Sequence, residues 1–444
     1  MSTIVDAAER IWLGGRAQDV PRLLHFYEGS YYLFCLGLSN HEVQAWEIDP
    51  ASGPSYIGSG ERSRTNVFRQ PGGVQIDSDA HWDLAATPTA RIVYFEDAFG
   101  GVAIAGWNFA KRIFEFGTVG PFVAFQEVAV SLYSFGELED VQPLKVAITT
   151  EDINVQTAHL IYGPNQETVG AQNYARARAV RFSDALGFYS ARDITGLSAY
   201  GQATHSRPRA CARNPQSVFF VDVFVAQQGA AGAALWRNRV TGGFVQGLAS
   251  RVSQYFPFET SMEIGLPWHS IRTDTTALAF ASVETDRVFV NYGPVSAIGD
   301  WSPATAVELP SPPNASAGGG SLHSLVGARK DGTDTVYAVG FNDEEARRRI
   351  FKTSDEGGGV FGPWEIVLDV PDTATGYIAS MTATANSDGD EVCIVYEVIP
   401  EGPTESGRTV FYYLDSGAVA AGPISSPWNG VVVSQGRELS VTLT

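Results

Sequence analysis

An aromatic residue shortly after a glycine returns seven times at nearly even intervals in this 444-residue chain: Tyr56, Phe122, Phe188, Phe244, Trp301, Trp364 and Trp428. The steps between them run from 56 to 66 residues. A period of this size marks a repeated supersecondary unit, each copy too small to bury its own apolar face and therefore dependent on its neighbours. Each repeat opens with a short strand rich in small residues, beginning near 21, 82, 143, 207, 267, 322 and 378. A more apolar, β-branched and aromatic strand follows, as in YYLFCLGL from 31, SVFFVDVFV from 217 and EVCIVYEV from 391. The third strand alternates apolar and polar residues, as in RRIFKTS from 348, which suits a sheet with unequal faces. The aromatic after glycine introduces the fourth.

Four antiparallel strands repeated radially leave only short, protected sheet edges. The sequence therefore predicts an all-β fold, a seven-bladed β-propeller of four-stranded antiparallel blades over residues 18–444. An N-terminal segment, 1–17, precedes it as a short helix or a strand that closes the ring. The strand-like end, GRELSVTLT from 436, is the other candidate for closure.

Composition narrows the partners. A formal net charge of −19 disfavours nucleic acid, whose phosphates require a dominant Lys/Arg face. No stretch approaches the roughly 18 consecutive apolar residues of a membrane-spanning helix. Asp6, Glu9 and Arg10 interrupt the N-terminus where a secretion signal needs an unbroken apolar run, so the expectation is a soluble protein without a signal peptide. Cys35, Cys211 and Cys393 are few, odd in number and set in strand-like contexts, which predicts buried, reduced thiols.

Two turns, Ser183-Asp184 with Gly187-Phe188 and Ser354-Asp355 with Gly357 and Trp364, resemble the Asp-box of sialidase-like propellers. That resemblance implies the fold and a hairpin device, not an activity. Val67-Phe68-Arg69-Gln70-Pro71 is similar to the N-terminal arginine motif of sialidases, but it falls between repeats, and sialidases have six blades. A weaker likeness is to arabinanase and xylosidase propellers. Asp19-Val20-Pro21-Arg22 followed by Gly29-Ser30-Tyr31-Tyr32-Leu33-Phe34 resembles the opening that places a general base in their channel, and Glu401-Gly402-Pro403 resembles their acid motif. Val20 splits the Asp-Pro pair, and Glu401 falls in a loop of the seventh repeat rather than a middle one.

Other motifs read as turn chemistry. Gly357-Gly-Gly-Val-Phe-Gly362 matches a dinucleotide fingerprint, but Trp364-Glu-Ile-Val-Leu continues as strand where that site needs a helix. Asn386-Ser-Asp388-Gly-Asp390 is similar to a calcium loop, yet Glu391 stands where glycine is required. Asn314-Ala-Ser316 reads as a polar loop. The seven histidines form no His-x-His or His-x-x-x-His pair. Neither a metal nor another cofactor is expected.

Polar and aromatic residues gather at the starts of the first strands: Asp19, His81, Trp82, Asp83, Arg207, Arg209, Trp268 and His269. In a propeller these positions approach the channel mouth. His81, Trp82, Arg207, Arg209, Trp268 and His269 are the expected ligand contacts, since flat indole faces stack on sugar rings and anchor protein interfaces. The same residues also suit a solvated channel wall. The expected function is a non-enzymatic recognition or structural module that binds a glycan or a protein partner, such as a component of a phage virion or tail. The competing expectation is a glycoside hydrolase at the channel mouth, with Asp19 and Asp83 as its carboxylates.

Overall fold

The computed structural model describes residues 22–36, 43–60, 89–96, 101–108, 113–115, 147–152, 157–169, 172–183, 187–188, 192–193, 203–213, 221–229, 232–241, 244–257, 262–265, 267–282, 285–295, 299–312, 322–342, 347–369, 376–400, 409–416, 431–434 and 441–443. Among them, thirty strands fall into seven antiparallel sheets in chain order, and the only helical element is one 3-10 turn, Pro303–Thr305. The all-β expectation holds. Each sheet keeps two edges; none closes on itself.

The first sheet runs β1 (Arg22–Tyr27), β2 (Ser30–Leu36), β3 (Val43–Asp49), β4 (Gly53–Gly60). The second has three described strands, β5 (Thr89–Glu96), β6 (Gly101–Asn108) and β7 (Ile113–Glu115). In the third, β8 (Ala147–Asp152), β9 (Thr157–Val169) and β10 (Gln172–Ser183) carry two short pieces on β10, β11 (Gly187–Phe188) and β12 (Arg192–Asp193). The fourth is β13 (Ala203–Arg213), β14 (Val221–Gly229), β15 (Gly232–Thr241) and β16 (Phe244–Arg251). The fifth sets β17 (Met262–Ile264) and β18 (Trp268–Ser270) along β19 (Thr275–Ser282), followed by β20 (Arg287–Tyr292) and β21 (Val307–Glu308). The sixth is β22 (Leu322–Lys330), β23 (Thr333–Asn342), β24 (Arg347–Ser354) and β25 (Glu365–Asp369). The seventh is β26 (Gly376–Ala385), β27 (Glu391–Pro400), β28 (Thr409–Ser416), β29 (Val431–Ser434) and β30 (Val441–Leu443).

Among the described residues, the first, fourth and sixth sheets have four strands and the others three or five. The fifth gains a strand because its opening segment is broken around Gly265, the third because its last strand is split, and the seventh because β30 adds to its outer edge beside β29. β30 thus completes its own sheet and does not pair with the first. Residues 1–17 lie outside the described residues.

Among the described residues, the second strands of the fifth, sixth and seventh sheets are deeply buried. All eight residues of β19 are buried, as are Val336 to Val339 of β23 and Val392 to Tyr396 of β27. Such continuous apolar runs suit a central strand covered on both faces, whereas alternation suits a strand with one wet face. The turns follow local chemistry. Asp355 Oδ1 accepts from the Gly357 and Gly359 amides at 2.9 and 3.0 Å, and Gly357, Gly358 and Gly359 all have positive φ, so the glycine run is a hairpin turn ahead of β25. Asn386 Oδ1 likewise accepts from the Gly389 and Asp390 amides, closing the β26–β27 hairpin. That residue of the calcium-like motif is thereby a turn cap.

Contacts divide the chain into two compact units, residues 1–59, 263–290 and 307–444 in one and 60–262 with 291–306 in the other. In the first unit, Val326, Tyr337, Val339 and Ile350 of the sixth sheet pack on Ile378, Met381, Val392, Ile394 and Tyr396 of the seventh. The seventh in turn packs on the first: Leu24, Tyr31, Leu33, Trp46 and Ile48 share a core with Cys393, Val395, Tyr412 and Leu414. Tyr31 adds a 3.3 Å hydrogen bond to the Glu391 carbonyl, 360 residues away in sequence. Cys393 is a buried free thiol, and burial pushes its pKa up. In the second unit, Trp301 meets Phe224 edge to face at 5.0 Å, and Asn291 donates to the Val252 and Ser302 carbonyls at 2.8 Å.

Candidate functional site

Of the expected site residues, Trp268 and His269 have described side chains, and both lie on β18. This strand pairs Trp268 with Ala277, His269 with Thr276 and Ser270 with Thr275. Successive side chains of a strand point to opposite faces. Trp268 and Ser270 accordingly share the buried face and His269 takes the other.

The buried face meets the sixth sheet. Trp268 is 5% exposed, and its Nε1 donates to Asp334 Oδ1 at 3.1 Å. Ser270 Oγ donates to Asp334 Oδ2 at 2.5 Å and accepts from the Arg272 amide at 3.1 Å. The indole lies against Gly327, where a Cβ would stand only 2.1 Å from the ring. Burial pushes the Asp334 carboxyl above its usual range, the hydrogen bonds from Ser270 and Trp268 pull the other way, and Asp355 adds to the upward push. Asp355 receives Arg272 at 4.0 Å, and the same guanidinium donates to the Gly358 carbonyl at 3.0 Å.

With both oxygens hydrogen-bonded and 1% of its surface exposed, Asp334 joins two sheets and is closed off from solvent. The Trp268 ring is packed into the same interface, with its polar atom satisfied. The open face of β18 belongs to His269, whose Nε2 lies 2.9 Å from Asp274 Oδ1 with 36% of its side chain exposed.

Arg207 and Arg209 are on β13. Arg207 is opposite Ala226, and Arg209 is the extra residue of a β-bulge, since the register passes from Pro208–Val225 to Ala210–Phe224. Bulges re-aim the chain and recur beside active sites. Asp19, His81, Trp82 and Asp83 lie outside the described residues, as does Glu401. Among the described residues, no group of three or more His, Cys, Asp or Glu side chains could hold a metal ion. No described helix is long and apolar enough to cross a membrane.

A second buried carboxylate, also absent from the sequence reading, lies in the fourth sheet. Asp222 accepts from Arg239 Nε at 2.9 Å and from Trp301 Nε1 at 3.4 Å, and Arg237 Nε stands 3.8 Å away. Arg237, only 2% exposed, also reaches Asp300 at 2.8 Å and the Gly299 carbonyl at 3.0 Å. Its only signal in the sequence was the marker tryptophan, whose partner is 79 residues away.

No protein family and no curated protein matches the chain by sequence. Solved structures do align with it. A post-proline cleaving enzyme from Rickettsia typhi aligns at TM-score 0.45 and 7% identity, over 91% of this chain and 52% of that one. The GH93 α-L-arabinofuranosidase of Fusarium graminearum aligns at TM-score 0.45 and 11% identity, over 76% and 92%. An endo-arabinase from Bacteroides thetaiotaomicron aligns at TM-score 0.31 and 14% identity, over 62% and 95%. The chain spans about half the length of the post-proline enzyme. At these scores no residue role transfers from them. The solved structures named here are peptidases and glycosidases, against the expected non-enzymatic recognition or structural module with its virion role, and that expectation is not carried forward.

Proposed function

We propose that the chain is a seven-bladed β-propeller glycoside hydrolase acting at the starts of its inner strands, with Asp19 and Asp83 as the working carboxylates. Support for the blades comes from the seven successive sheets and from the shared core of the first and last, the adjacency a closed ring requires. The Asp355 turn supports an Asp-box-like hairpin in the sixth blade.

The observation that carries the functional reading is the first hairpin. β1 and β2 pair in register from Arg22–Cys35 to Tyr27–Ser30 around a turn with positive φ at Glu28 and Gly29. Asp19-Val20-Pro21 therefore immediately precedes the edge strand of the first sheet, where an inner strand meets the channel in the proposed propeller. Asp83 lies in the segment that the sequence reads as the first strand of the second repeat, beginning near 82. Glycoside hydrolysis needs a carboxylic acid to protonate the leaving oxygen and a carboxylate to act as base or nucleophile, roughly 5 to 10 Å apart. Arg207 and Arg209, within β13 of the fourth sheet, and His269, on the open face of β18, supply hydrogen bonds to sugar hydroxyls in this scheme.

The test is release of reducing ends from a panel of arabinan, xylan and mannan oligosaccharides. Turnover reduced by about 100-fold or more in Asp19→Asn and Asp83→Asn, with unchanged thermal midpoints, is the expected result. No turnover across the panel, or turnover indifferent to both substitutions, rejects it.

A further inference from the structure

We infer that Tyr255, Trp236 and Arg251 form a surface site for a carboxylate-bearing sugar, an acidic-glycan contact separate from the inner-strand starts. The site rests on the proposed glycan-active reading only for its choice of ligand class; its geometry stands alone.

Tyr255 is the one aromatic among the exposed large hydrophobic residues described, at 39% exposure. Trp236, on β15, presents its ring to Tyr255 in a T-shaped arrangement with centroids 6.4 Å apart. Trp236 is the cross-strand partner of Arg251 at the end of β16. From there the Arg251 guanidinium lies over the tyrosine ring, its central carbon 4.5 Å from the centroid. The Arg251 Nε is buried without a hydrogen-bond partner. The planar fork of a guanidinium suits a carboxylate, which it receives through two parallel N–H···O bonds.

The backbone beneath is fixed. The Val252 amide donates to the Leu235 carbonyl at 2.8 Å, and Phe256 exchanges backbone hydrogen bonds with Ala233 at 2.9 and 3.1 Å. Ser253 Oγ accepts from the Leu235 amide at 2.8 Å. Val252, Ser253 and Phe256 are buried, so only Gln254, Tyr255 and Pro257 of this segment face water. At Gly232, with φ of +108°, an added Cβ would stand 2.1 Å from the Phe256 carbonyl oxygen. Glycine there lets the segment lie against β15. An aromatic face held in place loses little entropy when a sugar ring stacks on it, and the adjacent cation supplies the sign preference. The overall negative charge repels anions at long range, so recognition here works by contact and not by steering.

Isothermal titration of the full chain with trigalacturonate, with the neutral trisaccharide arabinotriose and with a triglutamate peptide tests the site. We expect trigalacturonate to bind, arabinotriose to bind at least about tenfold more weakly, Arg251→Gln to lose about tenfold and Tyr255→Ala a similar factor, with Arg251→Lys intermediate. Because Tyr255 is a surface residue, its variant keeps the fold, and an unchanged melting curve checks this. Equal binding of triglutamate and trigalacturonate, or uronate binding unaffected by Arg251→Gln, overturns the site. Binding that behaves as expected in a chain with no glycosidase activity leaves this site standing and rejects the hydrolase reading. Hydrolysis without uronate binding does the reverse.

Discussion

Two buried aspartates, one in each compact unit, solve the same problem with opposite means. Asp334 and Asp222 both accept an indole N–H from a tryptophan distant in sequence, and both are almost wholly enclosed. Asp334 has neutral side-chain partners at hydrogen-bond distance, an indole and a hydroxyl. Asp222 faces two buried guanidinium groups, Arg237 and Arg239. A buried charge is tolerated when paired and hydrogen-bonded, and is otherwise pushed toward its neutral form. Burial pushes the Asp334 carboxyl up, and the hydrogen bonds from Ser270 and Trp268 offset that push only in part. Each tryptophan–aspartate contact serves as a fastener, but only the one in the fourth sheet depends on charge.

Substitution by asparagine separates the two most sharply. Asp222→Asn removes the buried charge that faces Arg237 and Arg239 and should cost about 3 to 5 kcal/mol, read as a lower urea midpoint of the transition that exposes Trp301. Asp334→Ala removes the acceptor of two buried donors and should cost about 2 to 3 kcal/mol. Asp334→Asn keeps an acceptor for the indole and offers the hydroxyl a donor, so it should cost less than about 1 kcal/mol. Equal losses from the two asparagine variants would abolish the distinction.

The smallest effect is one of pH. The folded Asp334 pKa lies above its unfolded value of 3.8, so the folded chain holds this proton more tightly. Its contribution to stability is complete below pH 3.8 and is lost as pH rises through the folded value. The stability difference between the native chain and Asp334→Asn should therefore move against the native protein over that window. A flat difference would show that the carboxyl is as easily ionised folded as unfolded.

The all-β character and the chemistry of the turns were legible in the sequence because both follow from local pattern. Glycine and acidic turn residues, alternation on β24 and unbroken apolar runs on β19 and β27 are readable one residue at a time. What escaped was the pairing of sheets. Nothing near Trp268 announces Asp334, which lies 66 residues further on, and a three-residue strand does not reveal which of its faces is covered. Trp268 looked like a ligand platform for that reason, while Tyr255, pinned by backbone bonds to β15, carried no motif at all. Irregularities such as the interrupted opening of the fifth sheet and the bulge at Arg209 arise from register, which composition does not encode.

The core shared by the first and last sheets has a consequence for biosynthesis. Tyr31 leaves the ribosome 360 residues before Glu391, which at about 5 to 20 residues per second is a wait of roughly 20 to 70 s. During that interval the apolar side of the earliest sheet, with Leu24, Leu33 and Trp46, has not yet met its partner, so the nascent chain must be shielded from its neighbours until translation is nearly finished.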